Sequence, residues 1–289
     1  MSKINGCDLF FSGDGVHGFR MRALDGITIK SLERLGELCG LTATPAAGEA
    51  DALLSAGKTL PEAAEKVEIP QKYRRIAYYR LPAGNFFIQT PTGRTPDYFA
   101  FEGQKLLLFA HAAAIAKKEN ASFNLMHGAL LEESGNSCTL LFGESGIGKS
   151  TSVRRYRAGG GSACADDMFF LYTKEGKFFA RRMPTWSAVV AGKNEKCYDF
   201  NTEFAVRRVL LLLRDDQVEH IGEVSVEQYK LSLLKSASET SNWLLPFMPE
   251  RGAVVDHLLN FCSCVCRNYS PRAFFANLGF DIMASLAAK

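Results

Sequence analysis

The sequence predicts an α/β protein in two parts: a small N-terminal mixed α/β unit over residues 1–102, and a larger domain over residues 103–289 built around a glycine-rich loop. Three observations carry this expectation. The apolar runs "FNLMHGALLEE", "SCTLLFG" and "RRVLLLLR" are continuous rather than alternating, as in strands buried on both faces. Segments with helical spacing follow them, among them "KSTSVRRYRA", "SVEQYKLSLLKSASETSNWL" and "RGAVVDHLLNFCSCVCRN". Between strand and helix, the chain breaks into "GESGIGKST", glycines leading to a lysine and two hydroxyls.

Taken in order, "GFRMRAL" predicts a strand and "TIKSLERLGELCG" an amphipathic helix closed by Gly40. "RRIAYYRL" and "NFFIQT" predict a hairpin around the turn "PAGN". A strong helical pattern, "GQKLLLFAHAAAIAKKEN" from Gly103 to Asn120, opens the second part. There the strands "FNLMHGALLEE" and "SCTLLFG" are joined by the polar turn "SGN", and the second runs into the glycine loop. The helix "KSTSVRRYRA" is stopped by Gly159, Gly160 and Gly161. The strands "SACADDMFFLY" and "KFFARRM" flank the turn "TKEG"; the core strand "RRVLLLLR" follows, and two helices close the domain.

Composition narrows the function classes. The chain has 289 residues, 47% hydrophobic and 22% charged, which is ordinary for a globular protein. A formal net charge of +3 offers no electrostatic footprint for a nucleic acid. "MSKINGCDLFFSGDG" lacks the apolar core of a signal peptide, and "LLLFAHAAAIA" and "RVLLLLR" are too short to span a bilayer, so a cytoplasmic protein without a membrane partner is expected. Of eight cysteines, three form the run Cys262, Cys264, Cys266. No CxxC pair accompanies them, and helical spacing puts Cys262 and Cys266 on one face and Cys264 elsewhere, so small buried thiols are expected rather than a metal site.

The glycine loop carries the most chemistry. Gly143, Gly148, Lys149 and Ser150 match G-x-x-x-x-G-K-[ST], four fixed positions that average residue usage would produce in about one chain of this length in a hundred. Glycines let the backbone fold back with N–H groups inward, where the helix N-terminus also favours phosphate oxygens. The stretch Gly143, Glu144, Ser145, Gly146, Ile147, Gly148, Lys149, Ser150, Thr151 is therefore the expected ATP-binding segment. Lys149 would reach the terminal phosphates and the Ser150 hydroxyl would ligate Mg²⁺. An overlapping nucleophile-elbow pattern around Ser145 fails, because position 147 is isoleucine.

Asp166 and Asp167 follow Lys149 closely, on the very next strand, where a strand end beside the loop would aim a carboxylate at the γ-phosphate. One aspartate would serve as general base for an incoming hydroxyl while the other orients metal or water. Read without the loop beside it, "ADD" would pass for a solvated strand end or a helix cap.

The pattern "HGALLEE…LLFGESGIGKST…ACADDMFF" resembles the kinase domain of HPr kinase/phosphorylase, and with "PTWS" at Pro184–Ser187 it resembles more specifically the HPr-kinase-like ScmC proteins of peptide-maturation cassettes. The resemblance spans roughly residues 103–230. It implies a phosphoenolpyruvate-carboxykinase-like P-loop kinase fold, with ATP and Mg²⁺ as cofactors and a peptide or protein Ser/Thr hydroxyl as acceptor. It assigns the catalytic aspartate to Asp166, its partner and metal ligand to Asp167, and the histidine near the transferred phosphate to His127. The family's later signature loop has no counterpart in "NTEFAVRRVLLLLRDD", so the resemblance extends to γ-phosphoryl transfer and not to HPr as substrate. Relatives form rings, which allows a homo-oligomer. The N-terminal unit would then be where a leader peptide is gripped, by strand addition.

Two other functions fit the same residues. A small-molecule kinase or carboxykinase-like enzyme would need cations around an acidic acceptor, and Arg181 and Arg182 are the candidates; of adjacent strand residues, one at most points into the site. A non-catalytic nucleotide-binding adaptor would have no need of Lys149, Ser150, Asp166 and Asp167 together. Trp186 is read as core rather than an adenine platform, and Arg154 and Arg155 as surface charges.

Overall fold

The structure is a computed structural model that describes residues 122–182, 202–240, 251–277 and 282–287; before residue 90 it describes seven strands, with Ile29, Lys30 and Glu33 helical. Contacts divide the chain into two compact units, one of Met1–Asn120, Asn194–Asn201 and Asn242–Val254, the other of Ala121–Lys193, Thr202–Ser241 and Val255–Lys289.

In the first unit, β1 (Cys7–Ser12), β2 (Gly18–Ala23), β3 (Thr42–Pro45), β4 (Ala52–Ser55), β5 (Glu65–Val67), β6 (Ala77–Arg80) and β7 (Phe86–Gln89) form one sheet, in the order β3-β1-β2-β4-β7-β6-β5. The strand "GFRMRAL" is β2, and β6 pairs antiparallel with β7 as the expected hairpin. The three described residues of "TIKSLERLGELCG" are helical, and the predicted helix over 103–120 lies outside the described residues. Sequence periodicity missed β1, β3, β4 and β5, three of which have four residues or fewer, too few to express a period.

The second unit contains β8 (Phe123–Glu133), β9 (Ser137–Phe142), α1 (Lys149–Ala158), β10 (Ala163–Lys174), β11 (Lys177–Arg182), β12 (Glu203–Arg214), β13 (His220–Glu223), α2 (Val226–Ser238), α3 (Arg251–Asn268) from Val255 onward, β14 (Arg272–Ala276) and α4 (Ile282–Ala287). The mixed α/β class is as predicted, and β8, α1 and α3 begin and end where the spacing put them. Its sheet runs β11-β10-β8-β9-β12-β14-β13, and β11 also pairs with β12, so five strands close on themselves. At this closure Arg181 Nε donates to the Tyr172 hydroxyl at 3.1 Å, and Glu203 binds both residues.

Two expectations need correction. The strand of Asp166 and Asp167 is next in sequence but not next in the sheet: β8 hydrogen-bonds to β9 on one side and β10 on the other, because the β8–β9 hairpin puts β8 between them. Nor do the two predicted helices close the domain, since β14 and α4 follow α3, and β14 lies parallel to β12 inside the sheet. "RAFFA" has only five residues, too few to express a period, so it does not announce a core strand.

All six residues of β9 are buried, as a strand covered on both faces requires. On one face Val153 and Tyr156 of α1, three residues apart, pack with Ala129, Leu131, Leu141, Leu210, Leu212 and Phe274, and with Ile282 and Leu286 of α4. From α2, Tyr229 meets Phe142 edge-on at 5.1 Å and donates its hydroxyl to the Val209 carbonyl at 2.7 Å. In α3, Cys262 is the buried thiol expected, but Cys266 is half-buried like Cys264 rather than buried beside Cys262; burial pushes the Cys262 thiol up to about 12, far from a metal-binding thiolate. No described helix is long and apolar enough to cross a membrane.

Gly128 sits where the sheet is tightest: a Cβ there would lie 2.5 Å from the Leu141 carbonyl oxygen and 2.6 Å from the Phe169 ring. The carbonyl belongs to a paired strand and cannot withdraw. Gly128→Ala should therefore destabilise the protein by about 1–3 kcal/mol, lowering the melting midpoint by roughly 2–10 °C. An unchanged midpoint in a thermal melt would contradict this packing.

Candidate functional site

The loop from Gly143 to Gly148 leaves the buried end of β9 and enters α1. Gly148 is the residue before the helix, with φ 119°, ψ 16° and no side-chain cap. A residue with a Cβ strains at that angle, and the uncapped N–H groups of the first turn remain for a ligand's oxygens. The apolar side chain of Ile147 packs on the core cluster and anchors the loop from below. Two cations hold it from outside: Arg214, at the end of β12, donates to the Gly146 and Ile147 carbonyls at 3.2 and 3.3 Å, and Lys235 of α2 pairs with Glu144 at 2.7 Å.

Lys149 is the first residue of α1 and is buried. Its Nζ donates to the carbonyls of Gly143 at 2.8 Å and Glu144 at 2.9 Å, so the ammonium sits within the loop that it would serve. Burial lowers its pKa, and the charges of Glu239, Asp167 and Asp166 oppose that shift. These three carboxylates thus belong to one electrostatic site with Lys149. Ser150, the next residue, is exposed, and the Thr151 hydroxyl accepts from Arg154 at 3.3 Å.

The sheet register explains how residues on β10 reach this loop across β8. Asp167 pairs with Gly128, and Gly128 pairs with Phe142, so Asp167 lies on the row that ends one residue before Gly143. In a regular strand, Asp166 and Asp167 would face opposite ways. Asp167 instead has φ 152°, a conformation L-residues rarely adopt. Asp166 pairs with Ala129 of the α1-facing core, and its Oδ1 is buried with no hydrogen-bond partner among the described residues. Buried acceptors are nearly always satisfied, so this oxygen, whose charge also acts on the buried Lys149, is open to a donor from outside.

His127 stands one residue before Gly128 on β8. Its Nε2 lies 3.8 Å from Asp167 Oδ1, and its Nδ1 is hydrogen-bonded to the Glu239 carboxylate. The structure thus brings together Lys149, Asp166, Asp167 and His127. Sequence reasoning missed Glu239, Arg214 and Lys235. Glu239 is 112 positions from His127 and carries no local signal; Arg214 had one, as the charge ending the core strand beside β9. Arg181 is not in the site: Tyr172 and Glu203 hold it at the sheet closure. Arg155 is likewise no free surface charge, since it pairs at 2.7 Å with the buried Glu219. Trp186 and "PTWS" lie outside the described residues.

This geometry suits a polyphosphate. The glycine loop and helix start supply N–H groups, Lys149 a buried cation, and Asp166 a buried acceptor. Among the described residues no three His, Cys, Asp or Glu side chains cluster to hold a metal. A Mg²⁺ here would take phosphate oxygens and water, with Ser150 and Asp167 as protein ligands, as that ion commonly does.

The family model described as SynChlorMet cassette protein ScmC matches residues 105–254, about half of the chain. Among solved structures, a similar one is the Hpr(Ser) kinase/phosphatase from Coxiella burnetii, at 13% identity and a TM-score of 0.24, covering 35% of this chain and 77% of that one. An overlap so low adds nothing to the assignment of function. No curated protein matches.

Proposed function

The chain belongs to the SynChlorMet cassette protein ScmC family, and on that premise we propose that it is an ATP-dependent kinase that transfers the γ-phosphoryl group to a Ser or Thr hydroxyl of a peptide or protein, in ribosomal peptide maturation. The observation that carries this reading is the buried, unpartnered Oδ1 of Asp166 in the electrostatic field of Lys149. A buried carboxylate oxygen without a donor is what a general base needs before an acceptor hydroxyl arrives.

The residues divide the work as follows. Loop amides and Lys149 hold and neutralise the terminal phosphates. Bound Mg²⁺ would screen charge on the phosphate oxygens. Asp166 accepts the proton of the acceptor hydroxyl as its oxygen bonds to the γ-phosphorus and the bond to the ADP oxygen breaks. His127 and Asp167 line the side of the site toward α2. The metabolite-kinase alternative loses one of its two candidate cations, since Arg181 is committed at the sheet closure.

The first unit's sheet supports the further proposal that it binds a leader peptide, because β3 and β5 end its strand order and could accept an added strand. A peptide-induced chemical-shift map confined to residues 120–289 would sink that part.

ADP formation from Mg·ATP, with and without precursor peptides encoded beside the gene, tests the main reading. We expect stimulation by one such peptide and none by its Ser/Thr→Ala version. Stimulation by an acidic metabolite alone would overturn the peptide assignment.

A further inference from the structure

We propose that Glu239 is a positioning residue for the transfer step: it anchors the His127 imidazole so that Nε2 faces Asp167. This rests on the kinase reading above and goes beyond it by assigning a role to a residue that no motif includes. A carboxylate only accepts, so the Glu239 bond puts the hydrogen on Nδ1 and fixes the plane of the ring. With that plane fixed, Nε2 lies 3.8 Å from Asp167 Oδ1. The imidazole thus bridges two carboxylates, one on the strand row leading to the phosphate loop and one at the end of α2.

What makes Glu239 more than a chance surface partner is the platform beneath it. It caps the C-terminal end of α2, and its neighbours bolt that end to β8. Ser236 Oγ donates to the His127 carbonyl at 2.7 Å, Asn124 Nδ2 donates to the Ala237 carbonyl at 3.3 Å, and the Thr240 hydroxyl binds the Leu125 carbonyl. Asn124 and Thr240 are buried, and all these bonds join segments more than a hundred residues apart. The end of α2 that carries Glu239 is therefore tied directly to the strand that carries His127, and preorganisation of this kind sets the aim of a catalytic group. The electrostatics agree: Glu239 also acts on Lys149, so the end of α2 borders the same space as the phosphate loop.

The test uses the whole chain with Mg·ATP and follows phosphate release to water, which requires no identified acceptor. Glu239→Ala should lower kcat about 10- to 100-fold, with KM for Mg·ATP within about twofold of wild type. Glu239→Gln, whose carbonyl can accept the same N–H, should lie nearer to wild type. The double variant Glu239→Ala/His127→Ala should be no slower than His127→Ala alone, because Glu239 acts through the ring. Independently of turnover, a long-range ¹H–¹⁵N spectrum at one fixed pH should show a downfield Nδ1 proton, assigned by its loss in His127→Ala and missing in Glu239→Ala. Persistence of that proton in Glu239→Ala, or losses that multiply in the double variant, would overturn the proposal. A wild type that binds Mg·ATP yet transfers its phosphate neither to water nor to any precursor peptide encoded beside the gene would instead bring down the kinase reading, and the transfer role with it.

Discussion

Replacing Lys149 with alanine weakens Mg·ATP binding roughly 10- to 100-fold, the worth of one charge-assisted hydrogen-bonding group at 1.5–3 kcal/mol, and removes turnover. The size of the effect follows from what surrounds the ammonium. Lys149 is buried, its Nζ is held by two loop carbonyls, and the charges of Glu239, Asp167 and Asp166 act on it. Without it, a polyphosphate would meet three carboxylates and, among the described residues, no buried cation to offset them. Turnover suffers more than binding because negative charge on the transferring group must be stabilised in the transition state. Isothermal titration with Mg·ATP, beside a thermal melt that controls for folding, checks both parts. Unchanged affinity in a folded variant would take the phosphates away from this loop.

Asp166→Asn is expected to separate binding from chemistry. The side chain keeps its shape, so Mg·ATP affinity should stay within about twofold, while transfer should fall by about 10²- to 10⁴-fold, the usual contribution of a general base. An amide has no basic oxygen to take the proton, and its NH₂ would present donors where the acceptor hydroxyl needs an acceptor. The buried position of Oδ1 sharpens the expectation, because no neighbouring group among the described residues bonds to it. Single-turnover transfer from labelled ATP, read beside equilibrium binding, distinguishes this outcome from a general loss of folding. Full activity in Asp166→Asn would move the base elsewhere.

Much of the second unit was legible in the sequence because its central strands β8 and β9 are buried on both faces. "SCTLLF" is a continuous apolar run whose residues are all buried, and "KSTSVRRYRA" is marked at both ends by glycines. The same clarity made the phosphate loop readable, since Gly143, Gly148, Lys149 and Ser150 lie within eight consecutive positions. Strand order was not legible: the proximity of Asp166 to the loop in sequence suggested neighbouring strands, whereas the hairpin of β8 and β9 interposes β8. That interposition is what brings His127 and Gly128 between the aspartates and the loop. Glu239 stayed hidden because it reaches the site through tertiary pairing over 112 positions, which no local spacing encodes, whereas Arg214 was overlooked although it ends the core strand beside β9. β14 escaped because a five-residue strand with two arginine- and alanine-bearing ends carries no period.

The central claim is that the cradle of Lys149 and the carboxylate of Asp166 together move a phosphoryl group onto a hydroxyl. The most direct measurement is mass spectrometry of precursor peptides encoded beside the gene, after incubation with γ-labelled ATP, Mg²⁺ and either the wild-type protein or Asp166→Asn. The account predicts a single phosphate adduct on a Ser or Thr with the wild type and none with Asp166→Asn. An adduct of equal yield with both proteins, or Mg·ATP bound tightly and never transferred to any peptide, would contradict it.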